Sequence, residues 1–294
     1  MNNIKEKLIK YTCVALAYAS IIFLAGIMAV LLLESIPAIK GINFFGFVTG
    51  TGWYPTQNPP EYGILPLIAG SAAVSVLASL ICVPLGIGTA LYLYEIAGDL
   101  QKKILKPLIE ILAGVPSIIF GFFGIVVVAP FLQRVFGLPT GLCLMTAGVV
   151  LGFMAVPNVA SMAEDALGFV PRSFREASYA LGADRWQTLV KVVVPAAGSG
   201  IATAIILGVS RLMGETMIVL MVAGGAAVVP DSPFSPVRPM TAAIAAEMGE
   251  AARGSLHYSS LFFIGLLLFI ITLSLNMLSE KISWRYRMKL GRGR

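Results

Sequence analysis

The chain has 294 residues, 57% of them hydrophobic and 12% charged, with a mean hydropathy of +0.88 and a formal net charge of +6. This composition excludes a soluble globular domain, and apolar runs far longer than barrel strands, with no alternating pattern, leave helices as the spanning structure. A single histidine and three cysteines (Cys13, Cys82 and Cys143), all in apolar runs where they read as small core residues, offer neither a metal-ligand cluster nor a redox pair.

Six runs are long and apolar enough to cross a bilayer, at about residues 11–33, 64–94, 105–131, 141–163, 196–222 and 259–279. The first follows MNNIKEKLIKY, exceeds the length of a signal-peptide core and shows no small-residue cleavage site, so it reads as an uncleaved helix. Residues 34–63 are rich in Pro, Gly and aromatics, a composition suited to turns and a partly ordered cap. That segment is either a connector anchored at the interface by Trp53 and Tyr54 or part of a docking face for an external partner. Glu95 and Glu110, close to Lys102, Lys103 and Lys106, read as interfacial and structural. The third span contains EILAGVPSIIFGFFG, where Gly114, Pro116, Gly121 and Gly124 permit a kink and close packing. Packing alone explains that stretch; the alternative is a mobile gating helix with Ser117 near the path.

Residues 171–195, between the fourth and fifth spans, read as helix, glycine, helix. Pro171 starts the first helix, Gly182 ends it in a left-handed turn, and Asp184 opens the second with Gln187 in a capping box. Such a hairpin exposes Phe174, Tyr179, Leu181 and Trp186, a knob suited to a groove on another protein; a plain helical loop is the alternative. The fifth span then carries SRLMGETM at 210–217, with Arg211 and Glu215 inside an apolar run. Each such charge costs about 2.5–3.5 kcal/mol at a helix centre on the translocon scale. In one continuous helix the i, i+4 spacing puts both on one face, where they can pair, and that face should turn into the bundle or toward a partner subunit. Residues 223–258 include PMTAAIAAEMGEAARGSLHY, expected to form a short helix at the membrane surface, with His257 a surface or packing residue.

Lys and Arg gather on the cytoplasmic side of short loops. With the N-terminus inside, sixteen basic residues fall on inner segments, among them Lys5, Arg285, Arg287, Lys289, Arg292 and Arg294. Only Lys40, Arg134, Arg238 and Arg253 fall outside, and Arg211 remains within the fifth span. Both termini are therefore expected in the cytoplasm, and the basic balance reflects topology and acidic lipid headgroups, not nucleic acid. No Gly-x-x-x-x-Gly-Lys-Ser/Thr loop is present, so any driving ATP is expected on another subunit. The absence of His-Glu-x-x-His, Gly-x-Ser-x-Gly and paired Ser–His patterns leaves an intramembrane enzyme with little support.

The hairpin resembles the EAA motif of permease subunits of ATP-binding-cassette importers: Glu-Ala-Ala, three residues, Gly, nine residues, Ile-x-Leu-Pro. Glu176, Ala177, Gly182 and Pro195 match, Ser178 replaces the second Ala, and Val192 and Val194 stand in for Ile and Leu. The resemblance implies an all-α integral membrane protein of six transmembrane helices with the type I importer fold, a single permease domain over residues 1–294. It also implies that the hairpin couples to an ATPase through Glu176, Ala177, Ser178, Gly182, Ala183, Trp186 and Pro195. FVTGTGWYP (47–55), PLGIGTALYLYE (84–95), EILAGVPSIIFG (110–121), RLMGETMIVLMVAG (211–224) and AAEMGEAARGSLHY (245–258) are similar to the phosphate importers of the Pst system, and within it to PstC-type subunits. The partners implied are a PstA-like permease, a PstB-like ATPase dimer that holds ATP and Mg, and a PstS-like phosphate-binding protein at a bacterial inner membrane. No cofactor or metal is expected on this chain. On that reading the forked N–H groups of Arg211 suit phosphate oxygens, Glu215 holds the arginine and weakens anion binding, and Thr216 and Ser117 join the path. A structural ion pair that fixes helix register is the alternative for Arg211 and Glu215. The competing class, a stand-alone secondary transporter or channel, should show internal repeats or polar residues spread over several spans.

Overall fold

The computed structural model describes residues 2–291, with side chains for residues 6–282. Arg292 and Arg294, and the side chains of Lys5, Arg285, Arg287 and Lys289, lie outside the described residues. Helix α1 (Asn2–Gly41) is one 40-residue helix whose apolar stretch buries nothing within this chain. Asn43 then accepts from the Phe45 N–H at 3.2 Å and caps the short α2 (Phe44–Thr49). A small antiparallel hairpin follows, β1 (Trp53–Tyr54) with β2 (Glu61–Tyr62), Trp53 opposite Tyr62. Trp53 is only 2% exposed, so the interfacial anchor expected there is corrected. Its ring packs with Phe47, Ile64 and Met240, because an acceptor for the indole N–H lies inside the protein.

Helix α3 (Leu65–Leu91) runs on through a π-helical turn at Tyr92–Ile96 to give a 32-residue span. The third span departs from the expected 105–131. An amphipathic helix, α4 (Asp99–Ala113), ends at Gly114, and the span itself begins after Pro116. Pro116 cannot donate and biases Val115 away from helical backbone, and its own extended backbone (ψ 135) caps the new helix, so the chain breaks there. Helix α5 (Ser117–Phe123), a π-turn (Gly124–Val128) and α6 (Ala129–Phe136) together form the 20-residue span Ser117–Phe136. Glu110 therefore rides on α4, exposed, and not at the end of a span.

Helix α7 (Leu144–Gly168) is the centre of the bundle. It packs closely on α3 because small residues face that contact: a Cβ on Gly148 would collide with Leu77, and one on Gly152 with Ile81 and the Ala78 carbonyl. Cys82 and Cys143 are buried near this seam, whereas Cys13 on α1 is exposed and not a core residue of this chain. Beyond α7 come α8 (Arg172–Ala180), α9 (Arg185–Thr188), a π-turn (Leu189–Val193) and α10 (Val194–Ala196). The chain bends by 67° around Ala197 into α11 (Gly198–Met213).

The expected continuous span over 196–222 is corrected too. Helix α11 ends at Met213, and after the break at Gly214–Thr216 a short α12 (Met217–Val222) resumes. The short helix expected in 223–258 is α13 (Met240–Glu247), and it is seated on the bundle: Met240, Thr241, Ala242 and Ala243 are buried, and Ser71 on α3 accepts from the Met240 N–H at 2.8 Å. Small side chains at 241–243 let it tuck between α3, α12 and the final helix, α14 (Leu256–Gly291), which also packs along α1 and α11. Among the described residues five helices are long and apolar enough to cross a membrane, and there are six if the bent pair through Ala197 is one span.

Candidate functional site

The broken fifth span brings together residues that hydropathy treats as one apolar run. Gly214 donates to the Arg211 carbonyl at 3.2 Å and Glu215 to that of Leu212 at 3.2 Å, which closes α11. Glu215 Oε1 then accepts from the Met217 N–H at 3.1 Å, and Thr216 Oγ1 reaches back to the Gly214 carbonyl at 3.4 Å. Both side chains satisfy local backbone, which is why the helix stops here. Arg211 sits in the last turn of α11 with an exposed side chain, and its Nη1 donates to Asn158 Oδ1 on α7 at 3.0 Å. The i, i+4 pair expected between Arg211 and Glu215 is corrected. Glu215 lies past the end of the helix, and among the described residues Arg211 makes no salt bridge.

Thr241 Oγ1 on α13 donates to the Glu215 carbonyl at 2.8 Å, so the break is braced from outside its own span. Asn158 Nδ2 is buried without a hydrogen-bond partner. A single amide contact leaves most of the guanidinium donors of Arg211 free, and a planar fork of that kind suits an oxyanion. Ser117, half-buried, starts α5, and that helix packs on α12, with Gly121 against Met221. Asn158 and Thr241 were not singled out from the sequence. The lone amide beside Pro157 in an apolar run was the one local signal for Asn158.

The second constellation is the hairpin. Gly182 has φ +83 and donates to the Tyr179 carbonyl at 2.9 Å, the left-handed turn expected of it. Asp184 Oδ1 accepts from the Gln187 N–H at 2.7 Å while Gln187 Oε1 accepts from the Asp184 N–H at 3.3 Å, a complete capping box. Ser178, where the motif has a second Ala, is buried, and its hydroxyl shares a 2.9 Å hydrogen bond with Thr188 across the hairpin. Glu176, Ala177, Trp186 and Pro195 are exposed and Ala183 half-buried; Leu181 is 90% exposed at the tip. At the base, Glu95 pairs with Arg175 at 2.6 Å, not with the lysines near it in sequence. Lys106 instead bonds Glu164 on α7 at 3.0 Å, and that carboxylate holds its ammonium above the ordinary range.

At the opposite end a carboxylate gathers three partners. Glu247 accepts from the Trp53 indole at 3.0 Å and from Arg238 at 2.6 Å, and bonds His257 Nε2 at 2.9 Å. His257 also lies edge-on to Trp53, with centroids 6.2 Å apart, so it belongs to a packed polar cluster and is not a free surface residue. No group of ligating side chains suited to a metal occurs among the described residues.

Residues 82–287 match the family described as the binding-protein-dependent transport system inner membrane component. A probable ABC transporter permease protein, YqgH of Bacillus subtilis, is 38% identical over 288 residues, covering 98% of this chain and 93% of its own length. The phosphate transport system permease protein PstC of Haemophilus influenzae is 34% identical, over 98% of this chain and 96% of its length. Among solved structures, a bacterial alginate ABC transporter matches with a TM-score of 0.63 at 16% identity over 96% of this chain and 97% of that one. The MetNI methionine ABC transporter matches with a TM-score of 0.56 at 24% identity over 76% and 94%. The structural likenesses carry the fold and the sequence relatives carry the family: the chain belongs to the binding-protein-dependent inner membrane components, the multi-pass permease subunits of ABC importers.

Proposed function

We propose that the chain is a PstC-like permease subunit of an ATP-driven inorganic phosphate importer. Arg211 carries this reading: an exposed guanidinium at the break of an otherwise apolar span, held among the described residues by one neutral amide and by no carboxylate. An anion crossing a low-dielectric region needs such a donor, and a neutral partner leaves the positive charge available. Glu215, turned onto the backbone of Met217, supplies negative charge nearby without occupying the arginine, which favours release over retention. Similarity to PstC proteins over nearly the whole chain supports phosphate as the anion.

The path forms with a homologous PstA-like subunit, and the exposed tip of the hairpin, with Leu181 and Trp186, docks on a PstB-like ATPase dimer that binds ATP and Mg. A PstS-like protein delivers phosphate to the end that carries Trp53 and His257. Both chain termini then lie on the cytoplasmic side of a bacterial inner membrane, a reading that the distribution of Lys and Arg supports. Reconstitution of the complex in vesicles with the binding protein tests the reading. ATP hydrolysis should rise with inorganic phosphate and not with sulfate; equal stimulation by both would assign the chain to another oxyanion importer, and activity without the ATPase would assign it to secondary transport.

A further inference from the structure

Helix α8 is lightly held by apolar packing, since Ser178 is its one buried residue. What joins it to the membrane bundle at its base is polar. Arg175 Nη2 donates to Glu95 Oε2 at 2.6 Å, across 80 residues of sequence, and the two side chains are 23% and 11% exposed. The Arg175 guanidinium lies 4.6 Å from the centroid of the Tyr94 ring, and the Tyr94 carbonyl accepts from Lys102 Nζ at 3.1 Å. Glu95 belongs to the π-turn Tyr92–Ile96, closed by the Ala97 N–H on the Tyr92 carbonyl at 2.8 Å, which continues α3 without interruption. The pair also walls a recess of 480 Å³ shared with Tyr179, Ala183, Asp184 and Arg185. The second arm of the hairpin meets the bundle differently, through Leu189 and Val193, which are buried in one apolar cluster with Ala90 of α3.

We propose that the Glu95–Arg175 ion pair, seated on the Tyr94 ring, is the tie that passes motion of α8, the first arm of the hairpin, into α3, which makes Glu95 and Arg175 positioning residues for the coupling of ATP hydrolysis to transport. A short, charge-assisted contact of low exposure joins α8, the arm of the hairpin without an apolar seat, to the end of a long span and can transmit its displacement. Helix α3 packs along α7, which carries Asn158, and against α11, which carries Arg211, so displacement of its end reaches the broken span through packed helices. This inference rests on the reading of residues 171–195 as the coupling hairpin.

The test measures ATP hydrolysed per inorganic phosphate imported by the full complex in vesicles, together with the amount of ATPase subunit that co-purifies. Glu95→Gln and Arg175→Gln keep side-chain size and remove the charge pairing; each should raise the ratio about fivefold or more with the ATPase still bound, the lower end of typical coupling between sites. The exchange Glu95→Arg with Arg175→Glu restores an opposite pair and should return the ratio to within about twofold of wild type. Gly182→Val, which distorts the hairpin tip, serves as the control for the underlying reading. Wild-type ratios in both single variants, with Gly182→Val uncoupled, would overturn the tie and leave the coupling hairpin standing. Wild-type ratios in all three would overturn both. Single variants that shed the ATPase, or that uncouple without recovery in the exchange, would also overturn the pair as a transmitting element.

Discussion

Arg211 is held by Asn158, 53 residues away on a neighbouring helix and 3.0 Å distant, and not by Glu215, four residues along its own chain. The helix ends between Arg211 and Glu215, and the freed carboxylate caps the next one at Met217. A neutral amide orients the guanidinium without cancelling its charge. The fifth span thus presents a cation held by one amide at a backbone break whose groups are satisfied by Glu215, Thr216 and Thr241.

Asn158→Asp should therefore impair transport more than Asn158→Ala. A carboxylate at that position would pair with Arg211 through a charge-assisted hydrogen bond and compete with the anion. We expect initial phosphate uptake to fall about tenfold or more for Asn158→Asp, the effect of about 1.4 kcal/mol, and only a few-fold for Asn158→Ala. Initial-rate uptake into vesicles at matched expression measures both, and equal rates for the two variants would separate Asn158 from the action of Arg211.

Gly182→Val should cost about 1–2 kcal/mol of backbone strain, because φ at Gly182 is +83 and a branched Cβ is disfavoured there. Space is not the obstacle, since a Cβ would meet nothing within 4 Å. Gly182→Asn, which tolerates the left-handed region, should retain most uptake while Gly182→Val loses it with membrane insertion intact. Uptake and membrane-fraction immunoblots in parallel check the pair.

Glu247→Leu should loosen the end of the bundle that carries the β-hairpin. Removing the carboxylate strands Arg238 and the Trp53 indole, with an expected loss of about 1–3 kcal/mol for a partly buried hydrogen-bonded pair broken on one side. Thermal unfolding of the purified complex should shift downward, and limited proteolysis should begin within residues 53–62; an unchanged profile would show the cluster to be dispensable for stability.

The hairpin could be read residue by residue because its determinants are local: a glycine that needs positive φ, and a cap three residues from its partner. Ser178 was visible only as a departure from a motif, and its reason is Thr188, which the fold carries to its side. The break in the fifth span escaped because hydropathy averages over Gly214, Glu215 and Thr216, whose backbone-seeking side chains end a helix that composition alone would continue. The start of the third span lies at Pro116, but other helices here run through a proline, and the apolar face of the amphipathic α4 merged with the span in a count of apolar residues. Contacts between distant segments, Asn158 with Arg211, Glu95 with Arg175 and Glu247 with Trp53, left no periodic signal at all.

The Lys106–Glu164 link gives a pH expectation. Its raised pKa means that the stabilisation is complete below the ordinary lysine value of 10.5 and is lost only as pH rises through the still higher folded value. Between about pH 6 and 9 the link should be constant, so any defect of Lys106→Met relative to wild type should be the same across that window. Thermal unfolding of the complex at several pH values checks it, and a Lys106→Met defect that changes within the window would assign the pH dependence elsewhere.

The most direct measurement is ATP-driven uptake of radiolabelled phosphate by vesicles that hold the full complex, comparing wild type with Arg211→Met and with the Arg211→Met, Glu215→Gln double variant at matched assembly. Loss of the guanidinium should leave assembly normal and uptake at background in both, and Arg211→Lys should keep partial activity at best, since an ammonium retains the charge without the fork. Near-normal uptake by the double variant would contradict the account, removing Arg211 from the phosphate path and leaving the charged break as a packing device.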